Sequence, residues 1–229
     1  MSTELAFEYE VTRSKRKTLA IYVRDGKADV RVPLRAPKYY VESFIKEREQ
    51  WVLDTIEEQR NRDAQRFKLI EGEEIFYLGE PVVIRYLPAG QKDIYLHESE
   101  LFLPAPDLFT DIKAEFKKWL KQQAKLTMEP LAWEAASLIL AADRLKRVRF
   151  RQTKTMWGHC TSEGVVQFNP LIMLGPDYVI EYLVAHEVSH LLHMNHSKSF
   201  WRTVERISQD RKPAKQWLKQ NEHRLMGVY

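Results

Sequence analysis

Cys160 is the only cysteine among 229 residues. With no partner for an internal disulfide, it gives no reason to expect an oxidising compartment. Glycine and proline are scarce too, at 8 and 10 residues. With 44% hydrophobic and 30% charged residues, that composition excludes a collagen-like repeat and a largely disordered chain. No apolar run approaches the roughly 20 residues a membrane-spanning helix needs. The opening Met1-Ser2-Thr3-Glu4-Leu5 has neither a basic segment nor an apolar one, so no secretory signal is expected. Excess charge is small, at +4, which permits an acidic partner without demanding one. A Walker-type glycine loop for conventional nucleotide binding is missing. These absences describe a cytoplasmic, globular protein without a membrane partner.

What is present divides at Pro104-Ala105-Pro106. Residues 1–106 are expected to form a β-rich portion with one helix. Strands read at 5–11, 18–24 and 28–33, separated by Arg13-Ser14-Lys15 and Asp25-Gly26. A helix at 38–62 carries the stripe Val41, Phe44, Ile45, Trp51, Val52 and Ile56. A second strand group reads at 74–77, 81–87, 93–97 and 100–103. Residues 107–229 are expected to begin with a long helix, 108–142, interrupted near Pro130. A strand at 146–152 and a hairpin follow, its arms 155–161 and 165–168 joined through Ser162-Glu163-Gly164. Helices at 177–193, 198–209 and 213–226 complete the chain. Trp51, Trp119, Trp133 and Trp217 fall at helical core positions, and the charges of 57–66 read as a solvated face.

The helix at 177–193 contains His186-Glu187-Val188-Ser189-His190. Two histidines four apart share a helical face, so both imidazoles reach one metal ion. Neutral imidazole is a good zinc ligand, and a catalytic zinc keeps three protein ligands and a water. Glu187 lies beside that water and can take its proton. The helix is otherwise apolar, with Val179, Ile180, Leu183, Val184, Val188, Leu191 and Leu192. Burying His, Glu and His there is costly unless they are paired or metal-bound. For the third ligand, His193 lies two turns from His186, a poor arrangement for closing a tetrahedron. His196 follows Met194-Asn195, and asparagine tolerates the left-handed conformation that ends helices. His196 is therefore the expected third ligand, with Glu205 in reserve and His193 structural.

The run from His186-Glu187-Val188-Ser189-His190 through Asn195-His196-Ser197 to Phe200-Trp201, preceded by Trp157-Gly158-x-Cys160 and Asn169-Pro170, resembles the YgjP-like (DUF45) metallopeptidase family, which is related to the SprT-like and WLM zincins. The resemblance implies an α+β fold, with a zincin-like catalytic portion behind the β-rich N-terminal portion. It implies Zn2+ on His186, His190 and His196, with Glu187 as catalytic base. It also implies a serine where this chain has His159, so His159 is the expected extra donor to the oxyanion, ahead of Tyr182.

The leading expectation is hydrolysis of a peptide or protein substrate. Arg147, Arg149 and Arg151 align on one face of their strand, within a basic run from Arg144 to Lys154. Arginine forks suit phosphate or carboxylate. An acidic peptide, a nucleotide or a nucleic acid is therefore an expected alternative partner if those arginines face the metal; otherwise they are a solvated edge. Two rival readings remain: a nucleoside triphosphate pyrophosphatase using the same site, and a nucleic-acid-associated module with structural zinc. Cys160 is expected to be a buried thiol, because a fourth protein ligand would displace the water.

Overall fold

The computed structural model of the chain describes residues 5–225 except Phe109 and Lys154, and the backbone alone of Arg62. Met1 to Glu4 in the opening segment, Phe109 in the expected long helix, Lys154 at the end of the basic run and Met226 at the expected end of the last helix lie outside the described residues. The chain forms two compact units, Met1–Gln65 and Arg66–Tyr229.

In the first unit, β1 (Tyr9–Ser14), β2 (Ala20–Arg24) and β3 (Lys27–Pro33) form a sheet of order β1-β3-β2. β2 and β3 are a hairpin. Asp25 and Gly26 both take positive φ at its tip, 50° and 76°, which suits the right-handed twist of the flanking strands. Alternation along β3 buries Ala28, Val30 and Val32. The expected helix 38–62 is two, α1 (Lys38–Glu47) and α2 (Glu49–Ala64), broken at Arg48. The break lets the stripe serve two clusters: Val41 and Ile45 pack with Val30 and Val32, while Val52 and Ile56 pack with Ala28. Trp51 is left 49% exposed. Arg13 and Ser14, expected in a turn, continue β1. The Arg13 guanidinium donates to the carbonyls of Leu34 and Ala36 at 3.1 and 2.9 Å.

The second unit begins with β4 (Glu74–Tyr77), β5 (Glu80–Tyr86), β6 (Tyr95–His97) and β7 (Glu100–Leu103), in the order β4-β5-β7-β6. Helix α3 (Ile112–Leu138) follows. Then come β8 (Arg147–Phe150), β9 (Gly158–Cys160) and β10 (Val165–Phe168), in the order β8-β10-β9, with β8 parallel and β9 antiparallel to β10. A 3-10 turn at Pro170–Leu174 leads to α4 (Asp177–Ser189), α5 (Lys198–Ile207) and α6 (Arg211–Leu225).

One hydrophobic cluster joins Ile75, Ile84 and Leu101 of the four-stranded sheet to Phe116, Leu120 and Met128 of α3, Phe168 of β10, and Val184 and Val188 of α4. Pro104-Ala105-Pro106, where the sequence suggested a boundary, therefore lies inside this unit: the apolar faces of β4, β5 and β7 belong to the core that carries α4. The prolines mark a change of direction. Asp111 starts α3 by accepting the Ala114 amide at 3.1 Å. The helix runs through Pro130 without interruption, held on either side by the fully buried Met128 and Ala132. Trp119 is buried as expected, whereas Trp133 is 39% exposed. The result is a mixed α+β architecture. None of the described helices is long and apolar enough to cross a membrane.

Candidate metal centre

Helix α4 is buried along nearly its whole length. It ends sooner than its apolar pattern suggests, at Ser189, with His190 as the C-cap at φ −66° and ψ −17°. The amides of Leu191 and His193 fold back onto the carbonyls of Val188 and Ser189. Arg144 donates to the Leu191 carbonyl at 3.2 Å, placing its charge where the helix dipole favours it. None of residues 190–196 is left-handed, so the turn does not use the conformation expected of Asn195. His193 leaves the helical face, and its carbonyl accepts from His190 Nδ1 at 2.9 Å. That bond puts the proton on Nδ1 and leaves Nε2 as a lone pair facing the site.

The turn returns His196 to α4. His196 Nε2 lies 3.1 Å from His186 Nε2, and its ring centroid is 5.0 Å from that of His186 and 4.9 Å from that of His190. One nitrogen from each of the three histidines lies within 4.8 Å of the others. Tetrahedral zinc with nitrogen ligands needs separations of roughly 3.3 Å, which the 3.1 Å between the Nε2 atoms of His186 and His196 approaches. Burial first, and then the neighbouring His190 and His196, push the His186 imidazole down to about 4. His190 is lowered as well, chiefly by burial. His186 Nδ1 is buried without a hydrogen-bond partner. Converging imidazoles suit zinc or a similar transition ion; magnesium and calcium prefer oxygen. The residues present therefore fit a metal ion of that class.

Helix α5 supplies the platform. Ser197 caps it by accepting the Phe200 amide at 3.3 Å. Phe200 is fully buried, with its ring centroid 5.1, 4.5 and 4.8 Å from those of His186, His190 and His196. Trp201 stacks on His196, and the Arg211 guanidinium lies 3.3 Å over the Trp201 ring. The sequence pattern did not reveal that Phe200 underlies all three imidazoles.

Glu187 is 6% exposed, and burial pushes its carboxyl up to about 8. It lies against β9: a Cβ at Gly158 would sit 2.5 Å from Glu187 Oε1. Cys160 shares that face of the strand, and its thiol is pushed up to about 11 by burial and secondarily by Glu187. It is a buried neutral thiol. Strand alternation sends the intervening His159 to the opposite face, where it pairs with Gln167 and is exposed. His159 is still near enough to His190 to disfavour its protonation, but it does not line the pocket beside Glu187.

That pocket, about 430 Å³, is bounded by Trp157, Tyr182, His186 and Glu187 on one side and by Lys215, Leu218 and Lys219 of α6 on the other. Arg147, Arg149 and Arg151 are exposed and are not among its lining residues. Glu205 lines a separate cavity with Arg211 and Lys215 and is not part of the histidine cluster. The α6 lysines had no signal in the sequence beyond helical period.

The family model described as YgjP-like, metallopeptidase domain, matches residues 17–221. Among solved structures, the chain is similar to the metallopeptidase zymogen of Pyrococcus abyssi abylysin, with 24% identity and a TM-score of 0.38, covering 42% of this chain and 96% of that one. No curated protein sequence matches the chain.

Proposed function

The chain belongs to the YgjP-like metallopeptidase family, and we propose that it is a zinc-dependent peptidase using His186, His190 and His196 as ligands and Glu187 as base. The observation that carries this reading is the convergence of three imidazoles, one of which, His186, shares a pocket with the buried Glu187 carboxyl. When bound, zinc supplies Lewis acidity, lowering the pKa of a water to roughly 7 and polarising a carbonyl.

The remaining chemistry falls to the chain's own side chains. Glu187 takes the proton of the attacking water and delivers it to the departing amine. A carboxyl whose pKa lies near the working pH does both. Burial alone lifts Glu187 to about 8, and a nearby cation draws it back toward neutrality. Gly158 keeps the carboxylate in place. Tyr182 lines the same pocket, and burial raises its hydroxyl pKa, so it remains a donor for the developing oxyanion. It takes that role in preference to His159, which is on the other face of β9. A cytoplasmic setting suits the unpaired thiol of Cys160.

The decisive comparison is zinc-loaded wild type against Glu187→Gln on a panel of peptides. The variant should keep its zinc and lose roughly 100- to 10,000-fold in kcat, the usual worth of a general base. A zinc-loaded wild type that cleaves no peptide, or a Glu187→Gln variant that cleaves as well as wild type, rules the reading out.

A further inference from the structure

One wall of the pocket beside Glu187 has no part in the chemistry above. Lys215 and Lys219 stand one turn apart on α6, and both line the cavity that contains Tyr182, His186 and Glu187. Both are exposed, and neither forms an ion pair with a described residue. Glu222 stands on the same wall, so α6 brings two cations and one carboxylate to a cavity whose other carboxyl group is Glu187. Lys215 also lines the neighbouring cavity of about 880 Å³, where Arg211 and Lys212 face Glu205. A cationic edge thus runs along α6 from Arg211 to Lys219, and the N-terminal end of that helix adds a dipole of the same sign.

Unpaired ammonium groups around a concave site raise its potential and favour an entering anion. Leu218 and Trp157 line the same cavity and offer apolar surface for a short methylene stem. An aspartate or glutamate side chain matches both features: its stem meets the apolar floor and its head meets the lysines. Resting on the peptidase reading, we propose that Lys215 and Lys219 form a subsite for an acidic side chain and direct cleavage to bonds next to aspartate or glutamate. The anion-selecting element is then the α6 wall, in place of the arginines of β8.

The test uses the zinc-loaded full chain and peptide pairs differing only by Glu against Gln, or Asp against Asn, next to the scissile bond. Wild type should favour the acidic member by about two- to fivefold in kcat/KM, the scale of one partly screened ion pair. The difference should lie in KM and shrink as salt is added. Lys215→Glu/Lys219→Glu should reverse the preference toward peptides with lysine at that position. Lys215→Met/Lys219→Met, which keeps the stems, should remove the preference without reversing it. Zinc content and thermal midpoint report whether these surface variants fold. Equal cleavage of both members by wild type, or a preference that survives charge reversal, overturns the subsite and leaves the peptidase standing. A wild type that hydrolyses nucleoside triphosphates and no peptide overturns the peptidase reading and the subsite together.

Discussion

Gly158 and Glu187 are in such close contact that the glycine has no room for a side chain: a Cβ there would lie 2.5 Å from Glu187 Oε1. The contact joins β9 to α4 at the Glu187 carboxyl. Gly158 is not one of the chain's positive-φ glycines, so the constraint is space and not backbone conformation. Gly158→Ala should therefore displace Glu187, costing about 1–3 kcal/mol of stability and most of the activity while zinc is retained. Thermal unfolding, elemental analysis and peptide kinetics on the same sample check it. Full activity in this variant would mean that Glu187 adopts another position during turnover.

Elemental analysis should find one zinc per wild-type chain, lost from His186→Ala, His190→Ala and His196→Ala. Glu205→Ala should keep its zinc, because Glu205 lines a different cavity. Cys160→Ser should keep it too, because burial holds that thiol protonated, with a pKa of about 11. Zinc loss from Glu205→Ala with retention in His196→Ala would move the third ligand to α5.

The metal-free protein should show opposing pH effects from neighbouring residues. Glu187 is raised to about 8 from an unfolded value near 4.5, so its contribution is complete below roughly pH 4.5 and is lost as pH rises through 8. His186 is lowered to about 4 from near 6.5, so its cost is absent above roughly pH 6.5 and grows as pH falls through 4. Chelated Glu187→Gln should thus gain stability over chelated wild type between pH 5 and 9, by a few kcal/mol at the alkaline end. Urea titrations across that range measure the gap, and a gap that does not change with pH contradicts the assignment.

Tyr182→Phe should lower kcat by roughly tenfold or more with little change in KM, the pattern of a donor that acts only in the transition state. His159→Ser should change kcat by less, since His159 lies on the other face of β9. The reverse order would restore His159 as the oxyanion donor.

Much of this site was legible in the linear chain because its components are local. Helical spacing puts His186 and His190 on one face, and the short link through Met194 and Asn195 keeps His196 within reach. Alternation along 146–152 correctly separated the exposed Arg147 and Arg149 from the buried Val148 and Phe150. The route to His196 was less legible: the helix stops at Ser189 and the turn needs no left-handed residue. Periodicity of apolar residues continues past the point where backbone hydrogen bonds change pattern, so it could not mark that end.

The sequence by itself determined which residues are candidates for metal binding and proton transfer, since residue type and i, i+4 spacing are properties of the chain. It also determined the hairpin at Asp25-Gly26 and the strands whose alternation buries one face. Only the tertiary structure decided what surrounds those residues. It packs Phe200 of α5 under all three imidazoles, Gly158 of β9 against Glu187, and the Lys215 and Lys219 edge of α6 along the pocket. It also draws β4, β5 and β7 into the core of α4, across the prolines that looked like a boundary. Those are contacts between segments far apart in the chain, set by which apolar faces bury one another, and no local pattern encodes them.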